Sequence, residues 1–571
     1  MKILKYLAIT VGIGLFSLTA CQDEFLDVAP TASLSESELS SQAGLEGTLI
    51  GAYSMLLGRG GFYSDASNWF WGSVLGGDAN KGTDPGDQAQ VNEIQIYDAQ
   101  TTNGAILEKY QRTYEGVARA NATMKLVAVA KEAGEVPADV ITRIEAEARF
   151  LRGHYYFDLK KNFNNVPYVD ETWDEVTPVV NDKDIWTNIE ADFQFAFDNL
   201  PEVQSEIGRA NKWAAGAYLG KTFLFQEKWN EARTVLRDVV ENGTNPAGVQ
   251  YGLLDDYADL WIAANDNSME TVFASQAAAN TGTVNNANPS MVLNFPHGSS
   301  GPERPGGCCG FFQPSLTLVN SFRTEDGLPL LDESYNSEEN ALDNDLGLSS
   351  SDPFTVDDKA VDPRLDHSVG RRGIPFLNWG PHPGFDWIRS QAYGGPYSPK
   401  KFMYTKGGGD FDGSSWTPGY TAINYKVIRF ADVLLMLAEA EIETGNLDEG
   451  RELINRVRER AQNSVLFDDT GEPAANYEVA LYDSFADRQE AITALRFERK
   501  LELSGEGHRK YDLVRWGIAS DELNAYLDYE NSFLSSPFSG GAFTPNNDEY
   551  LPLPQNEIDL QDGVLIQNPG Y

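Results

Sequence analysis

Residues 219–232 read Leu-Gly-Lys-Thr-Phe-Leu-Phe-Gln-Glu-Lys-Trp-Asn-Glu-Ala. Leu219, Gly220, Phe223, Trp229 and Ala232 fall where a helical hairpin of the tetratricopeptide type places its packing residues. The small residue lets two helices approach closely, and the large apolar one fills the space between them. A second copy carries Ala438, Gly445, Leu447 and Gly450, with Leu447 answering Trp229 and Gly450 answering Ala232, both 218 residues further on. Two such hairpins, each flanked by further amphipathic stretches, predict a mainly α scaffold of helical repeats.

Apolar residues at three- and four-residue spacing predict helices over 43–57, 104–131, 137–162, 184–200, 212–225 and 230–242. Further helices are predicted over 424–445, 447–463 and 485–504. Residues 60–98 are rich in Gly, Asn and Asp and read as a long loop around Trp69-Phe70-Trp71. From about 245 to 420 the chain is broken by Pro, Gly and Asn, with short β-like runs such as Thr271–Ala274. The end reads as an irregular Pro/Asn tail. Long irregular insertions on a rigid scaffold are where binding residues concentrate.

The 571 residues include 85 acidic and 44 basic side chains, for a formal charge of -41. That field repels nucleic acid and disfavours a highly anionic polymer as partner. At the N-terminus, Lys2 and Lys5 precede an apolar stretch from Tyr6 to Leu18, too short to span a bilayer comfortably. Leu18-Thr19-Ala20-Cys21 follows and looks like a bacterial lipobox, which predicts a signal peptide over 1–20, acylation of Cys21 and a tether over 21–42. Gln22-Asp23-Glu24 resembles the acidic tag of lipoproteins sent to the outer face of the outer membrane. The other cysteines, Cys308 and Cys309, are adjacent, so they have neither metal-ligand spacing nor a redox CxxC. They are read as a vicinal disulfide on a tight glycine-flanked turn, or as two free thiols.

Several segments together are similar to the SusD/RagB family. They are Cys21-Gln22-Asp23-Glu24-Phe25-Leu26-Asp27, the run Ala146 to Leu159, Asp362-Pro363-Arg364-Leu365, Ile428 to Ala440, Glu498 to Leu503, Arg509 to Gly517, and the tail Leu551-Pro552-Leu553-Pro554-Gln555 through Tyr571. They run in family order from residue 21 to 571. Gly505, His154 and Lys510 depart from the commoner family residues. The resemblance implies one compact unit built from 43–245 and 246–571, a right-handed superhelix with ligand loops on one side. It also implies a non-catalytic surface protein that delivers oligosaccharides or other nutrients to a SusC-like TonB-dependent transporter. No contact residue carries over by motif, because the family's ligand loops diverge.

Binding a neutral sugar takes a flat apolar platform and a few fixed polar groups. Aromatic residues on the irregular segments supply candidate platforms: Trp69, Trp71, Trp379, Trp387, Tyr393, Tyr397 and Trp416. Trp186, Trp213, Trp229 and Trp516 lie in helical patterns and are assigned to the core. Asp78 and Asn80 offer contacts to vicinal hydroxyls, or fold their loop as an Asx-turn. Arg389 is a bidentate donor or one half of a surface ion pair. Cys308–Cys309, if bonded, adds a small apolar ring. Asp343-Asn344-Asp345 and Asp410-Phe411-Asp412-Gly413 carry oxygen ligands without the EF-hand pattern and read as solvated turns.

No HExxH, GxSxG or phosphate-loop motif occurs, and no cofactor is implied. Two readings stand beside transport-linked glycan binding. One is a surface glycoside hydrolase using a carboxylate pair, which an acid-rich chain supplies in number. The other is a binding protein for peptides or other non-glycan nutrients.

Overall fold

The structure, a computed structural model, describes residues 36–174, 176–298, 304–417 and 419–571. The lipobox, Cys21 and most of the tether lie outside the described residues.

Eleven longer helices carry the fold: α1 (Gln42–Tyr53), α2 (Gly104–Ala133), α3 (Ala138–Phe163), α4 (Trp186–Asn199), α5 (Lys212–Leu224), α6 (Trp229–Asn242), α7 (Phe430–Glu443), α8 (Leu447–Asn463), α9 (Arg488–Glu502), α10 (Arg509–Arg515) and α11 (Ala519–Phe533). From α1 to α9 each helix packs on the next, and α6 against α7 joins the early block to the late one across nearly 190 intervening residues. The result is a superhelix of antiparallel pairs, as the repeat predicts. Its largest apolar cluster draws on residues from Leu45 to Leu553, so both halves of the chain share one core.

Trp229 and Leu447 each begin the second helix of a pair. The small residues work as the spacing requires. A Cβ on Gly220 would fall 2.5 Å from the Leu236 side chain, and one on Gly450 2.4 Å from Ile442. Trp213 is buried, while Trp186, Trp229 and Trp516 pack partly buried against apolar clusters.

Two departures from the sequence reading concern elements. Residues 425–429 are strand, not the first turn of a helix, and pair antiparallel with Thr271–Ser275 through a bulged register. The expected irregular tail contains α10 and α11. Among the described residues, the named strands pair only as two-stranded antiparallel ribbons. Besides 271–275 with 425–429 these join Ala79–Gly82 to Phe311–Pro314, Thr324–Glu325 to Leu328–Pro329, and Val369–Gly370 to Ser398–Pro399. The ribbon of 79–82 with 311–314 ties the two irregular segments to each other, and that of 271–275 with 425–429 leads directly into α7.

Beneath the insertions lies a buried ionic network. Arg429 bonds Glu270, Glu502 and Glu506, Arg458 bonds Glu498, and Arg460 bonds Glu270 and Glu502. Lys401 joins Glu506 at 2.8 Å. Each charge is compensated by partners from another part of the chain, so the network fixes how the insertion is seated on α8 and α9.

Candidate glycan-binding surface

The Trp69-Phe70-Trp71 cluster is core, not platform. These residues form one turn of π-helix, and Trp71 has no exposed surface. Its Nε1 donates to the Tyr63 carbonyl at 2.5 Å, and Trp69 Nε1 donates to the Phe62 carbonyl at 2.9 Å. The turn lies against the segment after α9 so closely that a Cβ on Gly72 would fall 1.9 Å from the Gly507 carbonyl oxygen. Both indole donors are consumed internally, Trp71 has no open face, and Trp69 borders only a small cavity of about 30 Å³ beside Phe312.

Asp78 and Asn80 are likewise structural. Asp78 is buried and accepts from the Gly505 amide at 3.0 Å; burial raises its carboxyl above the usual range. Asn80 accepts from the Gly82 amide and donates to the Gly394 carbonyl, an Asx-turn that also ties two loops together. Tyr393 and Tyr397 are buried, with the Tyr393 hydroxyl donating to Asn92. Trp387 is buried against Phe376 and His382. Arg389 is half of an ion-pair cluster, with Asp84 and Asp87 each 2.5 Å away and Thr83 at 2.8 Å. A guanidinium held by two carboxylates is not a free bidentate donor.

Trp416, Trp379 and Cys308–Cys309 remain. They come from three loops, and Tyr404 ties these loops together. Its carbonyl accepts from Trp379 Nε1 at 3.1 Å, and its hydroxyl accepts from the Gly306 amide at 2.8 Å, two residues before the cysteines. Its ring packs on Phe411 at 4.8 Å. Phe411 and Thr421 pair at the base of a hairpin that carries Trp416 near its tip, and Trp416 is 63% exposed. Asp412 accepts from Ser414 and from the Asn280 amide, which folds that hairpin tip as a turn.

Cys308 and Cys309 are joined to each other, with Cα atoms 3.5 Å apart. Cys308 is exposed and Cys309 buried. Gly310 follows in the left-handed region at φ +70, and a Cβ there would meet His297 at 3.0 Å, so a side chain is excluded on both counts. The Gly310 carbonyl accepts from the Thr83 amide, which links the disulfide turn to the Arg389 cluster. The sequence reading missed Tyr404, the hub. One Tyr among 25 carries no local signal that three loops will meet on it.

The face therefore presents one exposed indole, a second, half-buried indole edged by Tyr404 at 5.8 Å, and an exposed sulfur bridge. Lys406 lies 6.0 Å from the Trp379 ring centroid, and its backbone exchanges two hydrogen bonds with the Asn378 side chain. Apolar planes rimmed by amide and hydroxyl groups suit the C–H faces and hydroxyl edges of sugars.

The profile described as "SusD family" matches residues 269–571, and that described as "Starch-binding associating with outer membrane" matches residues 24–224. The chain belongs to the SusD family. SusD-like protein P25 of Formosa agariphila is 26% identical, with 98% of each chain covered, and a SusD-like protein of Bacteroides ovatus is 25% identical over 99% of this chain and 97% of that one. Among solved structures, a SusD superfamily protein from Bacteroides vulgatus superposes with a TM-score of 0.68 at 22% identity, covering 93% of this chain and 100% of that one. Surface glycan-binding protein A from Bacteroides thetaiotaomicron in complex with laminarihexaose superposes with a TM-score of 0.64 at 19% identity, covering 92% and 99%. These likenesses show the SusD fold over 92–93% of the chain. Among the described residues, no helix is long and apolar enough to cross a membrane.

Proposed function

We propose that this protein is a non-catalytic surface lipoprotein, anchored through Cys21 to the outer face of the outer membrane. There it binds an oligosaccharide or polysaccharide on the Tyr404-centred loops and passes it to a SusC-like TonB-dependent transporter. The observation that carries the reading is Trp416, a large aromatic left 63% exposed on a folded hairpin of a SusD-family scaffold. Single exposed apolar residues are ordinary. An exposed tryptophan on a hairpin joined through Tyr404 to the loops of a second indole and a sulfur bridge is a prepared surface. The glycan cargo of the structural relative bound to laminarihexaose supports the same class of ligand here.

The test is calorimetric titration of the purified protein with a panel of fructans, glucans, xylans and host glycans. The reading expects saturable binding of at least one polysaccharide, weakened at least fivefold by Trp416→Ala, with the glycan recovered intact after long incubation. Cleavage of the bound glycan by the pure protein would overturn it in favour of a hydrolase. A peptide ligand with no glycan hit would redirect it to a different nutrient.

A further inference from the structure

Away from the Tyr404 loops, a cleft opens between α9, α10, α11 and the short turn at 334–336. It consists of two adjoining cavities of about 270 Å³ and 210 Å³ that share Glu333, Tyr335, Lys500, Arg509 and Glu522. Thr493, Arg496 or Phe497, and Lys500 reach it from one stripe of α9, at helical three- and four-residue spacing. Two of its cations are unusually enclosed: Lys500 and Arg509 are each only 8% exposed, yet both line the cavity. Lys500 Nζ donates to the Tyr335 hydroxyl at 2.9 Å and sits 4.5 Å from that ring's centroid. Arg509 donates to Glu522 at 3.0 Å. Arg496 lies over Trp516 at 5.1 Å, and its Nε is enclosed without a hydrogen-bond partner.

The acids of the cleft are arranged for a different task. Glu333 and Glu522 both line the two cavities, and burial with the neighbouring Glu522 carboxylate pushes Glu333 up to about 7. There their carboxyl groups can serve the hydroxyl groups of a ligand. Glu333 holds a left-handed backbone at φ +62, a conformation uncommon for a non-glycine residue. The surrounding fold imposes it, and it places the carboxyl at the cleft.

We propose that this cleft is a second saccharide site, built for one acidic sugar unit of the hexuronate class. The carboxylate of such a unit matches Arg496 and Lys500, its hydroxyls match Glu333 and Glu522, and its ring fits either cavity, each smaller than the ~300–1,000 Å³ of larger ligand sites. The chain's charge of -41 does not by itself oppose this, because fields beyond ~8 Å are screened at physiological salt, and within the cleft Arg496, Lys500 and Arg509 stand against Asp78, Glu333, Asp521 and Glu522. It does restrict the ligand to an isolated acidic unit, such as a branch on a neutral glycan, over a dense polyanion. The site is independent of the loop-side reading.

Saturation-transfer NMR and calorimetry with D-glucuronate, D-glucose and acetate test it on the intact protein. Glucuronate is expected to bind at least tenfold more tightly than either control, which separates a sugar acid from any carboxylate or any hexose. Arg496→Gln and Lys500→Gln should each weaken glucuronate at least fivefold, and Trp416→Ala should leave it unchanged. Arg496 is only partly buried, so its variant decides the matter even where the Lys500 variant fails to fold. Glucuronate binding no tighter than glucose or acetate, or binding indifferent to Arg496→Gln, overturns the proposal.

Discussion

Arg364 and Glu498 meet with no exposed surface on either, Nη1 lying 2.6 Å from Oε1. The same Nη1 lies 2.8 Å from Glu502, while Nε and Nη2 grip both oxygens of Asp362. Three carboxylates converge on one guanidinium, and two further arginines, Arg429 and Arg460, complete the charge on Glu502. Asp362-Pro363-Arg364 and Glu498 to Glu502 are 134 residues apart at their contact, and both belong to the segments by which the sequence resembles its family. Their shared role is to seat the long insertion on α9.

Arg364→Met should therefore destabilise the protein strongly. Removing one partner of a buried ionic cluster leaves the others desolvated, at a cost of ~3–5 kcal/mol. Urea denaturation followed by tryptophan fluorescence measures it. A loss under 1 kcal/mol would mean that the remaining arginines compensate Asp362, Glu498 and Glu502 on their own. Arg364→Lys should recover part of the loss, since an ammonium cannot reach all three carboxylates at once.

The helix pairs give a contrast between two glycines. Gly220→Ala places a methyl group 2.5 Å from Leu236 in a fully buried contact, so it should cost about 1–3 kcal/mol by overpacking. Gly47 is an exposed position inside α1 with nothing within 4 Å of where a Cβ would stand, so Gly47→Ala should stabilise by about 0.5–1 kcal/mol. Opposite shifts of the thermal midpoint are the expected result. Shifts of the same sign would contradict the close approach of α5 and α6.

How much could be read from the chain follows from range. Gly220 and Gly450 were legible because hairpin packing is set by neighbours within some 30 residues, and the repeat states it twice. Trp71 was not legible. It sits in a stretch rich in Gly, Asn and Asp that reads as loop, and its burial depends on Tyr63 and on Gly507, more than 430 residues away. In α11 the apolar stripe Leu523, Tyr526 and Leu527 was present, but Glu530 occupies the next buried position and hid it. That carboxylate is satisfied by Thr317 and the Leu316 amide, partners no local pattern reveals. Residues 425–429 combine apolar spacing with a following helix, and their pairing with 271–275 decides for strand. Of the binding face, Trp379, Trp416 and the cysteines stood out by composition, whereas the Tyr404 junction is purely tertiary.

Buried histidines set the pH response. Burial pushes His154, His382 and His508 down to about 3, so they remain neutral in the fold while an unfolded chain protonates them near 6.5. For each, the unfolded state binds the extra proton below pH 6.5. The stability each contributes is complete above that pH and declines as pH falls toward 3, by up to about 1.4 kcal/mol per pH unit. Glu530, which burial pushes up to about 7, acts in the opposite sense, stabilising the fold as pH falls from 7 toward 4.5. The two effects separate by substitution. His382→Gln should flatten the fall in urea midpoint between pH 6.5 and 4.5, and Glu530→Gln should steepen it. Parallel pH profiles for both variants and the parent would show that these groups are not neutral and protonated, respectively, in the folded state.

Breaking the Cys308–Cys309 bond should act on binding more than on stability. Its covalent loop contains only the two cysteines, and the entropic gain from a cross-link grows with the length of loop it closes. Cys308→Ser with Cys309→Ser should leave the thermal midpoint within about 2 °C, because a change below ~0.5 kcal/mol moves a large protein little. The turn after Gly306 would lose its constraint, and glycan affinity should fall severalfold. Differential scanning fluorimetry and calorimetric titration of the same samples distinguish the outcomes. A large drop in thermal stability with unchanged affinity would make the bond a structural staple instead of part of the binding face.

Two tryptophans of one chain should separate binding from folding. Trp71 is fully buried and donates its indole N–H to the Tyr63 carbonyl, so Trp71→Ala removes a core side chain and should cost about 3–5 kcal/mol. Trp416 is mostly in solvent, and Trp416→Ala should change stability by less than about 0.5 kcal/mol. A stacking contact to a sugar ring lost with it is worth on the order of 1–2 kcal/mol, which corresponds to roughly five- to thirtyfold in affinity. Trp379→Phe keeps a ring but deletes the hydrogen bond to the Tyr404 carbonyl, so it should weaken binding and lower stability together, each modestly. Urea denaturation and glycan titration on the three variants give a two-axis map. Trp71→Ala should lie along the stability axis, Trp416→Ala along the affinity axis, and Trp379→Phe between them. If Trp416→Ala binds glycan like the parent while Trp379→Phe does not, the binding face is centred on Tyr404 itself and the exposed indole serves another contact.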